Sequence, residues 1–304
     1  MYLALIGTVL FLFAPASSTV LPGNMDTSYQ SLKEAVANKD TAQVKKLAAQ
    51  TYALAREAAE APLPDGVEQA EWDKRVAYAH DVETYTEYAL FTAALQGPAA
   101  ETVDLIATLE QQNPKSKYLD RGYSIYLVAL TQTGAAAKIP AIAEKALVNF
   151  PKHEDLLLVL ANEAMEHKQN DRALGYAQRL LSALNSSAKP EELSAAAWEK
   201  KRAAELGRAH WIAGIAYCDK AQYVNADTEL RASLPLIKGN NPMMGAALFN
   251  LGLANYQLGK MTMRKTLVQE AAKFSEQAAG IPGPYAQQAW HNAQVMKTEA
   301  DRMR

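Results

Sequence analysis

The sequence predicts an all-α protein built from stacked helical hairpins, and three observations carry that expectation. The good helix formers Ala, Leu, Glu, Gln and Lys outweigh Val, Ile and Thr. No stretch alternates apolar and polar residues in the manner of a half-buried strand. The segment HWIAGIAYCDKAQYVNADTEL (210–230) is answered by ALFNLGLANYQLGK (247–260). Their glycines, Gly214 and Gly252, are 38 positions apart, each among small apolar residues with a tyrosine (Tyr217, Tyr256) three or four positions on.

The elements follow in chain order. Residues 3–14 form an apolar run. As a helix it would rise ~18 Å, short of a ~30 Å bilayer core. That length suits the core of a secretory signal peptide over residues 1–16, with small residues at Ala14-Pro15-Ala16 for cleavage and a mature chain starting near Ser17. No Lys or Arg precedes the run, and the alternative is a buried N-terminal helix. An exported protein, periplasmic or secreted, is the expectation. Residues 17–66 then read as an N-terminal helical hairpin, its two periodic segments meeting at Asn38-Lys39-Asp40 with Asp40 as N-cap. PLPDG (62–66) breaks the pattern before a long helix over 69–95. Residues 67–285 form a repeat array, and 286–304 one amphipathic capping helix.

Within the array, closing prolines mark earlier units. Leu90, Gly97 and Pro114 define one, and Gly134, Ala146-Leu147 and Pro151 another, anchored at Leu127. Ala161 lies 34 positions on, with Ala173 following at second-helix spacing. Counting on Leu90, Leu127, Ala161, Gly214 and Gly252, the spacings are 37, 34, 53 and 38. The long interval holds LNSSAKPEELSAAAWEKK, an expected exposed loop followed by an extended helix. In the last unit Gly259 stands where the preceding unit has Ala221, and the small residues of its second helix come late, as after an inserted turn.

A large residue, then Leu-Gly, then Tyr on a first helix, with Ala and a closing Pro on a second, resembles the tetratricopeptide repeat. Here Ala213-Gly214, Tyr217, Ala226 and Leu230 fill those places, as do Leu248, Leu251-Gly252 and Gly259. The resemblance implies a right-handed superhelix of antiparallel helix pairs, because a lone hairpin cannot bury its apolar face. It also implies that the first helices line a concave face. Carried over position by position, that face holds Glu87, Ser124, Leu158, Trp211 and Phe249. It continues with Phe91, Val128, Asn162, Ile215 and Leu253, and with Ala94, Thr131, Met165, Cys218 and Tyr256. Its apolar and aromatic members Phe91, Trp211, Ile215, Phe249, Leu253 and Tyr256 are the expected contacts for a protein or peptide partner. Whether that face is open or covered by the chain itself stays open here.

Chemistry is sparse. A net charge of −2 gives no electrostatic case for nucleic acid. Cys218 is the single cysteine, so no internal disulfide forms, and its surroundings suit a small apolar filler. The five histidines form no metal-ligand spacing; Glu163 and His167, one helical turn apart, read as a solvated helix face. There is no glycine-rich phosphate loop and no Gly-x-Ser-x-Gly elbow. Trp72, Trp198, Trp211 and Trp290 sit on separate helices, where packing is the simpler reading than sugar binding. The expected function is therefore a non-catalytic scaffold of the cell envelope, without catalytic residues, metal, cofactor or a membrane span once the leader is removed. A helical-repeat enzyme of glycosidase type and a structural subunit of an envelope assembly are the alternatives.

Overall fold

A computed structural model describes residues 23–190 and 193–303. The expected signal peptide and its cleavage near Ser17 lie outside the described residues. Among those described there are 13 α-helices and no strand, so the all-α class is met. The chain forms two compact units that divide between Asn113 and Pro114, the first of the closing prolines.

The first unit comprises α1 (Gly23–Ala37), α2 (Thr41–Glu60), α3 (Gln69–Gln96) and α4 (Ala99–Gln112). Each packs on the next. Asp40 caps α2 as expected, its carboxylate accepting the Gln43 amide at 3.0 Å. The α2–α3 contact is made by small residues, with Ala55, Ala58, Ala79 and Val82 buried around Met25. Small side chains let the helix axes approach to ~8–10 Å. Between α1 and α2 a buried hydroxyl pair satisfies itself: Ser28 and Thr51 share a hydrogen bond of 2.7 Å. PLPDG breaks the chain as expected, with Gly66 at φ 78°. Between α3 and α4 the chain turns through extended Gly97 and Pro98.

The second unit runs α5 (Lys117–Gln132), α6 (Ile139–Ala146), α7 (Glu154–Glu166), α8 (Asn170–Ser186), α9 (Ala195–Asp219), α10 (Tyr223–Ser233), α11 (Asn241–Thr262), α12 (Lys265–Ala279) and α13 (Ala286–Arg302). A 3-10 turn at Ala136–Lys138 leads into α6. From α6 onward, consecutive helices pack as a stack of hairpins. The exposed loop and extended first helix expected after Ser186 are present: residues 187–190 are non-helical and exposed, and α9 is 25 residues long.

One turn device recurs. A residue in left-handed conformation follows α1, α5, α7, α9 and α11, though not α3: Lys39 (φ 56°), Gly134 (φ 74°), Lys168 (φ 55°), Ala221 (φ 55°) and Met263 (φ 53°). The next residue then donates its amide to the carbonyl five positions back. These bonds are Asp40 to Ala35 (3.0 Å), Ala135 to Leu130 (2.8 Å), Gln169 to Ala164 (2.8 Å), Gln222 to Tyr217 (2.9 Å) and Arg264 to Gly259 (2.9 Å). Such a bond satisfies a carbonyl that the helix end would otherwise leave unpaired. Leu127, Ala161 and Gly214 each stand seven residues before their turn, so these anchors share a register.

Gly252 departs from it, because its turn at Met263 comes four residues later. The inserted turn thus lies inside α11. Gly259 is not the counterpart of the turn residue Ala221. It is buried in α11, where an added Cβ would come within 2.6 Å of Val268 Cγ2. Both anchor glycines are close-approach sites. A Cβ on Gly214 would meet Leu230 Cγ at 2.5 Å, and one on Gly252 would meet Ser275 Oγ at 2.4 Å.

Candidate binding surface

In the second unit every second helix also touches: α5 meets α7, α7 meets α9, α9 meets α11 and α11 meets α13. These first helices make one continuous face. Its polar part is built from residues one helical turn apart on α9. Lys201 and Glu205 form an i,i+4 pair, Nζ to Oε1 at 2.8 Å. The same ammonium lies 3.3 Å from Glu154 Oε2 and 3.4 Å from Asp155 Oδ1 at the start of α7. The Ser124 hydroxyl on α5 donates to Asp155. His153 caps α7: Leu156 N–H donates to its Nδ1 at 3.4 Å, so Nε2 carries the proton offered to the Asp120 carbonyl at 2.7 Å.

Burial and charge pull these groups in different directions. Burial opposes the charge of Lys201, yet the three carboxylates outweigh it and raise its pKa. For Asp155 burial is likewise overcome, by the Ser124 hydrogen bond and by Lys201, and its carboxyl is held below the usual range. For Glu205 burial wins and its pKa is raised. Its Oε2 is buried without a hydrogen-bond partner in the protein.

Arg208 lies two turns along α9 and is placed otherwise. Its Nε donates to Asn162 Oδ1 on α7 at 2.6 Å, and its guanidinium sits 4.7 Å from the Trp211 ring. It is half-buried, and among the described residues it forms no ion pair with a carboxylate. Burial lowers its pKa, and the more distant Glu166 offsets that only in part. A half-buried cation that no anion neutralises is a costly arrangement, and it suits an incoming acidic group.

The expected aromatic contacts are covered rather than open. Trp211 is 8% exposed, its indole N–H donating to the Met243 carbonyl at 2.9 Å. Phe249 is 7% exposed, its ring 4.9 Å from Tyr285. Phe91 is 5% exposed. The reason is tertiary. The neighbouring first helix closes over Trp211, and the segment entering α13 closes over Phe249. Trp211 and Phe249 do share one core cluster, against which Ile215 and Leu253 pack half-buried. Tyr256 is half-buried and tied to α13, its hydroxyl donating to Glu299 Oε2 at 2.7 Å beside Lys260 at 2.8 Å.

The remaining candidates are ordinary contacts. His167 Nδ1 is nearer the Glu163 carbonyl (2.9 Å) than its carboxylate (3.5 Å). Burial pushes the Cys218 thiol up to about 11, far from a reactive thiolate. Glu87 is buried and accepts from Asn113 Nδ2 at 2.7 Å. Among the described residues no helix is long and apolar enough to cross a membrane.

Charge is divided between the units. Residues 1–113 carry 7 basic and 15 acidic side chains, net −8; residues 114–304 carry 24 and 18, net +6. The whole-chain value of −2 conceals this. Reading the sequence by repeat position included Ser124 and Asn162 but passed over Lys201, Glu205 and Arg208. Their i, i+4, i+7 spacing, with Trp211 three further on, is the signal that marks one helical face.

No family model and no curated protein sequence matches this chain.

Proposed function

We propose that the chain is a tetratricopeptide-like scaffold of the cell envelope, non-catalytic, that holds a protein partner through an acidic peptide segment on the face of α7 and α9. The observation that carries the reading is Arg208, half-buried against Trp211 and Asn162 with no carboxylate of its own. Lys201, two turns away, has three carboxylates and needs no further anion. Supporting the scaffold reading are the recurrent left-handed turn, the shared register of Leu127, Ala161 and Gly214, and the adjacency of first helices. The buried aromatics frame this face and are not its contacts.

The test is an array of immobilised decapeptides probed with the full chain and with Arg208→Gln. Peptides bearing Asp or Glu should be retained by the wild type and weakened about 30-fold or more by the variant, since losing one partner of a desolvated charge pair costs ~2–5 kcal/mol. Amide counterparts (Asn, Gln) should not bind. Equal retention of acidic and amide peptides, or no loss in Arg208→Gln, would sink the proposal.

A further inference from the structure

We propose that a tyrosine face on α1 and α3 of the first unit is a second recognition site, taking lysine or arginine side chains of a basic peptide segment. On α3, Tyr78, Asp81, Tyr85 and Tyr88 are spaced three and four apart, which places them on one stripe of the helix. Tyr29 of α1 closes one side. Its ring meets Tyr85 edge-on at 5.1 Å and Tyr78 at 6.5 Å, and Tyr85 lies 5.9 Å from Tyr88. Tyr78 and Tyr88 are 40% and 43% exposed, and Asp81 is exposed between them.

Three observations select a cation as the occupant. The cluster already holds one: the Lys33 ammonium sits 4.4 Å above the Tyr29 ring. Aromatic faces attract cations through their quadrupole, and a carboxylate beside them adds to that. The stripe carries its own carboxylates, Asp81 on α3 and Asp26 of α1, which accepts the Tyr78 hydroxyl at 2.9 Å. Finally, the unit bears net −8, so a basic segment is drawn to it. An apolar helix would have to bury Asp81 unpaired, and a neutral sugar gains nothing from the charge. The site is independent of Arg208, which belongs to the other unit.

The probe is a fluorescein-labelled heptapeptide alternating Gly and Lys, titrated into the full chain at low salt with polarisation as readout. Acetylating the lysines should abolish binding. Asp81→Asn and Tyr88→Leu should each weaken it about fivefold, whereas Tyr88→Phe, which keeps the ring, should stay within about twofold. Arg208→Gln should leave it unchanged, so this site and the acidic-peptide site fail separately. Thermal unfolding run in parallel guards against misfolding, and the exposed Asp81→Asn decides the matter if Tyr88→Leu unfolds. The proposal is overturned if acetylated peptide binds equally, if Phe is as damaging as Leu, if Asp81→Asn has no effect, or if a neutral oligosaccharide competes.

Discussion

The hairpins α9–α10 and α11–α12 bring their helices together on the same kind of contact yet turn at different places. In the first, Gly214 faces Leu230 and the chain reverses at Ala221, seven residues on. In the second, Gly252 faces Ser275 and the reversal waits until Met263, eleven residues on. Four residues are about one helical turn, so the extension leaves the glycine on nearly the same helix face. A helix lengthened by whole turns keeps its packing stripe, which is why Gly259 adds a third close contact, on Val268, instead of disturbing the other two.

Three sets of variants sharpen or break that comparison. The largest effect belongs to Trp211 and Phe249, each three residues before its anchor glycine and each buried. Truncating either to Ala should lower the unfolding free energy by ~3–5 kcal/mol in urea titrations. A cost below ~1 kcal/mol for one but not the other would show that the two helices do not bury equivalent positions.

Next come the glycines. Gly214→Ala and Gly252→Ala should each cost ~1–3 kcal/mol through overpacking. They should differ in rescue. The nearest atom to Gly252 is the Ser275 hydroxyl, with the next neighbours at 3.3 Å or more, so Ser275→Ala should recover most of the loss in a double-mutant cycle. At Gly214 the Leu230 backbone nitrogen lies at 3.0 Å, and no truncation of Leu230 removes it. Equal rescue at both sites would contradict this account of the contacts.

The smallest effect lies in the turns. Ala221 and Met263 adopt a left-handed conformation that costs a side-chain-bearing residue ~1–2 kcal/mol, partly offset by the greater chain entropy that glycine loses on folding. Ala221→Gly and Met263→Gly should each therefore stabilise by about 0.5–1 kcal/mol, and Gly134→Ala should destabilise by a similar amount, all read as shifts in thermal midpoint. A gain at Ala221 with a loss at Met263 would mean that the two turns are not the same device.

Much of this was legible in advance because it is local. The N-cap at Asp40, the break at PLPDG and the loop before α9 each depend on a few neighbouring residues. Hairpin spacing placed Gly214 and Leu230 in one repeat unit, and the structure brings the two together. Repeat spacing set Gly259 opposite Ala221 and an inserted turn in the last unit, but it did not locate the reversal at Met263, which carries no left-handed signature in the sequence. The candidate site was less legible. Repeat position selected Trp211 and Phe249 for the concave face and left its covering open, because position along a helix does not reveal what a later segment lays over it. Tyr285, 36 residues beyond Phe249, does the covering.

By itself, then, the sequence determined the helical class, the hairpins and most of their ends, since propensity, capping and turn geometry act within a few residues of chain. Only the tertiary structure decided which side chains lost water and which charges found partners. Lys201 meets Glu154 across 47 residues and Arg208 meets Asn162 across 46. Burial strengthens or penalises a charge according to the neighbours that folding brings to it, and those neighbours are remote in the chain. That is why two cations on one face of α9 have opposite fates, one enclosed by carboxylates and one still without an anion.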